Sequence, residues 1–209
     1  MTAQTHESEG RRATRLLIVG PQGSGKGTQG VRIAEAFGIP AISTGDVFRG
    51  AVAAGSELGR QVKAVIEAGE LVSDELTSQV VRERLEQEDA ADGFLLDGYP
   101  RNIAQVRDLD AFLEGRGESL DAVIELSVPR EESIARLTLR AKEQGRTDDT
   151  EEVIANRLAI YERETAPILG VYRTRGIVDE IDGTGTLDEV TDRIIGALEA
   201  RGLIRTAAA

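Results

Sequence analysis

The first spacing in this chain suited to chemistry is Gly20-Pro21-Gln22-Gly23-Ser24-Gly25-Lys26-Gly27-Thr28. Gly20, Gly25 and Lys26 stand at G-x4-G-K spacing, the pattern of a loop whose backbone N–H groups turn inward around a phosphate. Lys26 adds a full positive charge, and a helix starting behind the loop adds a partial one. A hydroxyl ordinarily follows the lysine directly. Here Gly27 follows it and Thr28 comes one place later, so the pattern leaves open which hydroxyl, if any, lies near a metal ion. The only lysines are Lys26, Lys63 and Lys142; the other cations are arginines, which suit forked phosphate contacts. His6 is the single histidine, so histidine acid–base chemistry is not expected. Cysteine is absent, which excludes disulfides, a cysteine nucleophile and any Cys-ligated zinc.

Composition narrows the partners. A length of 209 residues with 40% hydrophobic content suits one domain with an ordinary core. Aromatic residues make up only 3%, so Leu, Ile, Val and Ala must fill that core. The net charge of −12 argues against a nucleic-acid surface, and a phosphate site must be a local gathering of cations in an acidic protein. No run reaches the ~20 apolar residues of a membrane span. Residues 1–14 are polar, lack the apolar stretch of a secretory signal and read as a disordered extension. A cytoplasmic location fits the missing cysteines.

The elements that must position the loop follow from pattern. Arg15 to Val19 is a buried strand, and Gln29 to Phe37 is helical, with Val31, Ile33, Ala34 and Phe37 as its apolar positions. Further strands are expected at 39–42, 93–96, 122–126 and 177–181. Further helices are expected at 47–54, 58–68, 76–87, 102–113, 131–142 and 187–199. Ser73-Asp74-Glu75 reads as a capping pattern for the helix that follows. A long helix is expected over 151–173, kinked at Pro167. The fold class is therefore α/β: a five-stranded parallel sheet with helices on both faces, spanning 15–205, with a frayed tail at 206–209. Ligands of such sheets bind beyond the carboxyl ends of the strands, where the polar clusters of this chain fall.

Several motifs in one order now carry a resemblance. The loop reads GxxGxGKGTQ. Ile42-Ser43-Thr44-Gly45-Asp46 with Arg49 comes next, then Gly93-Phe94-Leu95-Leu96-Asp97-Gly98-Tyr99-Pro100-Arg101 with Gln105. Arg146-x-Asp148-Asp149, Arg157, Tyr161 and Thr165-Ala166-Pro167 follow. Over about residues 15–200 the chain resembles the adenylate kinases of the nucleoside monophosphate kinase family.

The resemblance implies reversible transfer of the ATP γ-phosphoryl to AMP, giving two ADP, with Mg²⁺ and without zinc. It implies ATP, AMP and ADP as partners, no nucleic acid, no membrane and a monomer. Gly23, Ser24, Gly25, Lys26, Gly27 and Thr28 would cradle the ATP phosphates. Segment 43–72 would be the AMP-binding insertion, with Thr44 facing adenine, Arg49 on the AMP phosphate and the backbone of Glu70, Leu71 and Val72 along the base. Gly98, Tyr99, Pro100 and Arg101 would close the AMP side, and Gln105 would hydrogen-bond adenine. Asp97 and Asp46 would hold magnesium through water. Segment 139–149 would be a short lid. Arg136 and Arg140 would approach ATP from its first side, and Arg146 and Arg157 would clamp the transferring phosphoryl. Lys26, Arg101, Arg136, Arg146 and Arg157 form the catalytic set, and Gly185 would contact the ATP adenine.

Plainer alternatives stand beside these roles. Ser43 or Thr44 reads equally as a helix N-cap, Asp97 to Pro100 as a turn and Gly185 as a loop glycine. A kinase of UMP or CMP shares the short lid, but that branch usually has Ala at the position of Thr44. A regulator that binds ATP without turnover is expected to lack the second nucleotide's cations. Arg49, Arg101, Arg146 and Arg157 are all present.

Overall fold

In the computed structural model the apolar run ahead of the glycine loop is the central strand of a sheet. The structure describes residues 13–144 and 150–206, and of residues 140–144 the backbone alone. The central strand, β1 (Thr14–Val19), has β3 (Gly93–Asp97) on one side and β4 (Ala122–Ser127) on the other. Outside these lie β2 (Ala41–Ser43) and β5 (Val178–Asp182), giving the order β2-β3-β1-β4-β5 with every pairing parallel.

Alternation along the strands divides the core. Leu16 and Ile18 of β1 join Leu95, Ile124 and Leu126 on one face, under α1 (Lys26–Phe37) and α9 (Leu187–Ala200). Leu17 and Val19 join Phe94, Leu96 and Val123 on the other. That face is covered by α4 (Asp74–Leu85), α5 (Ile103–Glu114) and α8 (Ala166–Thr174). Both faces being buried explains why the strands read as continuous apolar runs. The insertion after β2 consists of α2 (Thr44–Ala53) and α3 (Glu57–Glu67). A smaller cluster joins Leu137 of α6 (Arg130–Gln144) to Ile154 and Leu158 of α7 (Glu151–Ile160).

Register brings the functional ends together. Ile18 and Ser43 both pair with Asp97, so β1, β2 and β3 all end beside one carboxylate.

The structure departs from the expected elements in instructive places. Helix α1 starts at Lys26, three residues early, because Gly25 takes the left-handed conformation at φ 94° and lets the loop enter the helix directly. Val31 is 50% exposed, whereas Gly30 is buried. A Cβ on Gly30 would lie 3.2 Å from Leu95 Cδ2, so the missing side chain is what lets α1 approach the sheet closely. The single helix expected over 151–173 is broken. A π-helical turn, Tyr161–Thr165, separates α7 from α8, and the Ala166 N–H reaches five residues back to the Tyr161 carbonyl. Pro167 supplies the reason, since it has no N–H and its ring crowds the carbonyl four residues earlier. The 3₁₀ turn Glu88–Ala90 was not among the expected elements. Of the expected extension (1–14), lid (139–149) and tail (206–209), residues 1–12, 145–149 and 207–209 lie outside the described residues, and Thr14 already belongs to β1. Among the described residues no helix is long and apolar enough to cross a membrane.

Candidate active site

The loop between β1 and α1 is shaped by its glycines. Gly23 stands at φ +82°, and a Cβ there would lie 2.4 Å from the Ser133 carbonyl of α6. Any other residue would therefore strain the backbone and push α6 away. The Lys26 ammonium folds back over the loop and donates to the Pro21 carbonyl at 2.9 Å. Arg136 of α6 donates through Nη1 to the Ser24 carbonyl at 3.4 Å and through Nη2 to the Gly183 carbonyl at 3.1 Å. Its Nη2 also contacts Glu132, one turn earlier on the same helix. Gln22 Oε1 and Ser24 Oγ are buried without a hydrogen-bond partner among the described residues, a cost of about 1–3 kcal/mol for each such atom.

Opposite the loop stands a second cluster. Ser43 caps α2, accepting from the Asp46 N–H at 3.3 Å. Thr44 is thereby released from capping and donates to the Gly98 carbonyl at 3.0 Å. Arg101 Nε donates to the same carbonyl at 2.8 Å. The backbone of Arg101 is held at both ends: its N–H donates to Gln105 Oε1 and its carbonyl accepts from Thr165 Oγ1, each at 2.8 Å. The peptide bond between Tyr99 and Pro100 is cis. The insertion meets α7, where Arg157 Nη2 donates to the Ile66 carbonyl at 3.3 Å and Asn156 Nδ2 to the Ala68 carbonyl at 3.1 Å.

Between the clusters lies a cavity of about 470 Å³. Gly23, Gly25, Lys26, Gly27 and Thr28 line it from the loop side, and Arg136 from α6. Thr44, Asp46, Arg49, Glu70, Leu71 and Val72 line it from the insertion. Asp97, Gly98, Pro100, Arg101 and Gln105 line it from the end of β3 onward, and Arg157 from α7. Five cations from five separate segments thus face one space in a protein of net charge −12.

Three expected residues stand elsewhere. Ser24 is buried beneath the loop and meets Arg136 through its carbonyl. Tyr99 does not line the cavity. Its ring is in the core, and its hydroxyl meets Ser78 at 2.9 Å and donates toward the Gln105 carbonyl at 3.3 Å. Burial pushes its pKa up to about 12. Gly185 also lies off the cavity. Its φ is +102°, and a Cβ there would meet Glu189 Oε2 at 2.6 Å, so the capping turn of α9 by itself requires glycine. Gly183, two residues earlier, is the one whose carbonyl reaches Arg136. The side chain of Arg140 and all of Arg146 lie outside the described residues.

The cavity also recruits residues that the sequence did not single out for it. Phe48, Thr77 and Leu137 line it, and so do Tyr161 and Thr165, brought there by the π turn. Asp74 and Asn102 grip the Gln105 amide and helix start, although Ser73-Asp74-Glu75 signalled only a cap.

Electrostatics separates the two acids. Asp46 pairs with Arg49 at 2.6 Å. Asp97 has no hydrogen bond to its carboxylate among the described residues, and its Oδ2 lies 3.8 Å from where a Gly27 Cβ would stand. The carboxylate thus stands directly across from the loop at Gly27. A hard carboxylate beside a phosphate cradle suits Mg²⁺, which keeps most of its waters and takes one or two carboxylates. Asp97 fits that donor set, while Asp46 is already engaged with Arg49. Burial pushes the Arg101 pKa down, Asp97 opposes that, and Arg157 and Arg49 add to it. A buried guanidinium whose charge two neighbouring arginines disfavour suits a polyanion.

A glycine loop at the carboxyl end of the central parallel strand, faced by converging arginines, defines a P-loop kinase fold. Comparison with known proteins narrows this. The profile of the family described as adenylate kinase matches residues 18–177. The adenylate kinase of Kocuria rhizophila is 55% identical over 186 residues, covering 89% of this chain and 99% of that protein. Those of Clavibacter michiganensis and Leifsonia xyli are each 56% identical, over 190 and 189 residues. They cover 91% and 90% of this chain and 95% of each relative. The chain belongs to the adenylate kinase family.

Proposed function

We propose that the cavity holds ATP and AMP end to end and transfers the γ-phosphoryl between them, giving two ADP and maintaining adenine nucleotide balance. Family membership makes the chain an enzyme of ATP:AMP phosphotransfer and does not support the UMP or CMP alternative. The observation that carries the assignment of the site is the convergence of Lys26, Arg49, Arg101, Arg136 and Arg157 on one cavity behind the glycine loop.

The residue types match the reaction. Phosphoryl transfer demands little covalent help; it demands two phosphate chains held in line and their charge offset. In this proposal the loop N–H groups and Lys26 hold the ATP phosphates, and Lys26 follows charge onto the leaving oxygen. Arg49 and Arg101 hold the AMP phosphate so that one of its oxygens faces the γ-phosphorus. Arg136, Arg146 and Arg157 offset charge on the transferring group, and Arg140 assists on the ATP side. Thr44, Gln105 and the backbone from Glu70 to Val72 surround the AMP base. Asp97 would hold Mg²⁺ through water, and the ion, when bound with ATP, supplies further charge neutralisation. Closure of segments 43–72 and 139–149 keeps water from the γ-phosphate. A cytoplasmic monomer completes the proposal, supported for location by the absence of cysteine.

The test is a panel of initial rates with AMP, UMP, CMP and GMP at one ATP concentration. AMP is expected to give by far the highest kcat/KM. Preference for UMP or CMP overturns the acceptor assignment.

A further inference from the structure

The amide of Gln105 has two ends, and the structure uses both. Its Oε1 accepts from the Arg101 N–H at 2.8 Å, and its Nε2 donates to Asp74 Oδ1 at 2.8 Å. Reversing the amide would set oxygen against the Asp74 carboxylate and N–H against the Arg101 N–H. One orientation alone satisfies both neighbours. Gln105 is 2% exposed, so its amide is held among buried neighbours, while Asp74 reaches it from the exposed start of α4.

Asp74 is itself held. Asn102 Nδ2 donates to the same Oδ1 at 2.8 Å, while Asn102 Oδ1 caps α5 by accepting from the Gln105 N–H at 2.9 Å. Asp74 opens α4, where the positive end of the helix favours a carboxylate. The neighbouring Ser73 makes no side-chain capping bond. The acid is therefore committed to the amide across 31 residues rather than to its own helix start.

A primary amide has two donors and two acceptor sites. With one of each used, one N–H and one lone pair are left for a ligand on the cavity that Gln105 lines. Adenine offers the complement: a 6-amino donor next to a ring-nitrogen acceptor. A 6-oxo purine places an acceptor where adenine places its donor.

We propose that Asp74 is a positioning residue that sets the acceptor base, selecting a 6-amino purine over a 6-oxo purine by locking the Gln105 amide. The proposal rests on the assignment of Gln105 to the AMP base. The experiment measures kcat and KM for AMP and for inosine monophosphate, and KM for ATP, in the wild type, Asp74→Ala, Asp74→Asn and Gln105→Leu. Asp74→Leu serves as a second removal, and melting temperature is recorded for each. Loss of one locking bond should raise the AMP KM about 3- to 10-fold and lower the AMP-to-inosine-monophosphate ratio of kcat/KM by a similar factor. The AMP kcat and the ATP KM should move less. Asp74→Asn keeps a carbonyl acceptor and should restore both values toward wild type. Unchanged AMP KM and ratio in both removals, with Gln105→Leu impaired for AMP, overturns the proposal alone. An AMP KM unchanged in Gln105→Leu overturns the assignment of the AMP base as well. Equal losses in Asp74→Asn and Asp74→Ala, with lowered melting in both, show a merely structural role and also overturn the proposal.

Discussion

Thr44 Oγ1 donates to the carbonyl of Gly98 across 3.0 Å, tying the first turn of α2 to the loop after β3, 54 residues further on. The geometry tolerates only glycine at 98. Its φ is +84°, and a Cβ would lie 2.7 Å from Thr44 Oγ1 and 3.0 Å from Arg101 Nη2. Gly98→Ala should therefore cost about 1–2 kcal/mol in backbone strain alone. It should also displace both partners, raising the AMP KM by at least ~10-fold with a smaller change in ATP KM. Denaturant melts and AMP saturation curves check the two effects. Unchanged AMP kinetics would refute the role given to this contact.

Lys26→Met should leave the fold intact and lower kcat by ~10²–10³-fold. The loop shape depends on Gly23 and Gly25, whereas the charge depends on the ammonium, which donates to the Pro21 carbonyl. The check is turnover together with the melting temperature. Wild-type turnover with unchanged melting would remove the phosphate-loop assignment.

Arg101→Ala separates the two nucleotide sides. The backbone of Arg101 is anchored by Gln105 and Thr165, so truncation should remove the charge while leaving the loop in place. Losing charge-assisted bonds should raise the AMP KM by ~10- to 100-fold with little effect on ATP binding. If ATP affinity fell and the AMP KM held steady, the two sides would be reversed.

Alkaline pH should expose the core. All three tyrosines of the chain have raised pKa values. Burial is the leading cause in each, aided by Asp108 at Tyr99, by Glu125 at Tyr161 and by Asp110 at Tyr172. For Tyr99 and Tyr161 the shift is from 10.0 up to about 12. The folded state thus keeps protons that the unfolded state releases near 10.0. Their contribution to stability is complete below that pH and is lost as pH rises toward about 12. Tyrosinate absorbance should appear near pH 10 in denaturant and only well above it in the folded protein. A folded-state midpoint near 10 would contradict the buried placement of Tyr99 and Tyr172 and the partly buried one of Tyr161.

Ligand-dependent closure is expected of segments 43–72 and 139–149. The chain has no cysteine, so Ala54→Cys and Glu143→Cys can be labelled as a clean pair. Diadenosine pentaphosphate, which spans both nucleotide sides, should shorten the distance between the labels. Arg157 and Arg49 disfavour the charge on Arg101, and arriving phosphates would relieve this, which supplies the driving force. An unchanged distance at saturation counts against closure, whatever the turnover.

Local pattern was enough for most of the fold. Apolar runs of strand length alternating with amphipathic stretches placed all five strands within one or two residues. The glycine loop and Lys26 stood out because phosphate chemistry limits the usable residue types, whereas the particular arginines came from the resemblance to the family. Local pattern could not divide labour between neighbours. Ser43 and Thr44 read alike, yet one caps α2 and the other crosses to Gly98, because Ser43 pairs with Asp97 at the end of β2. Tyr99 sits between two lining residues and turns into the core beneath α4 and α5. Asp74 looked like a cap and instead holds an amide 31 residues away. Capping, alternation and helical period depend on the few nearest residues, which the chain spells out in order. Which side chain faces the cavity depends on sheet register and on helices packed from opposite faces, and only the assembled structure sets those distances.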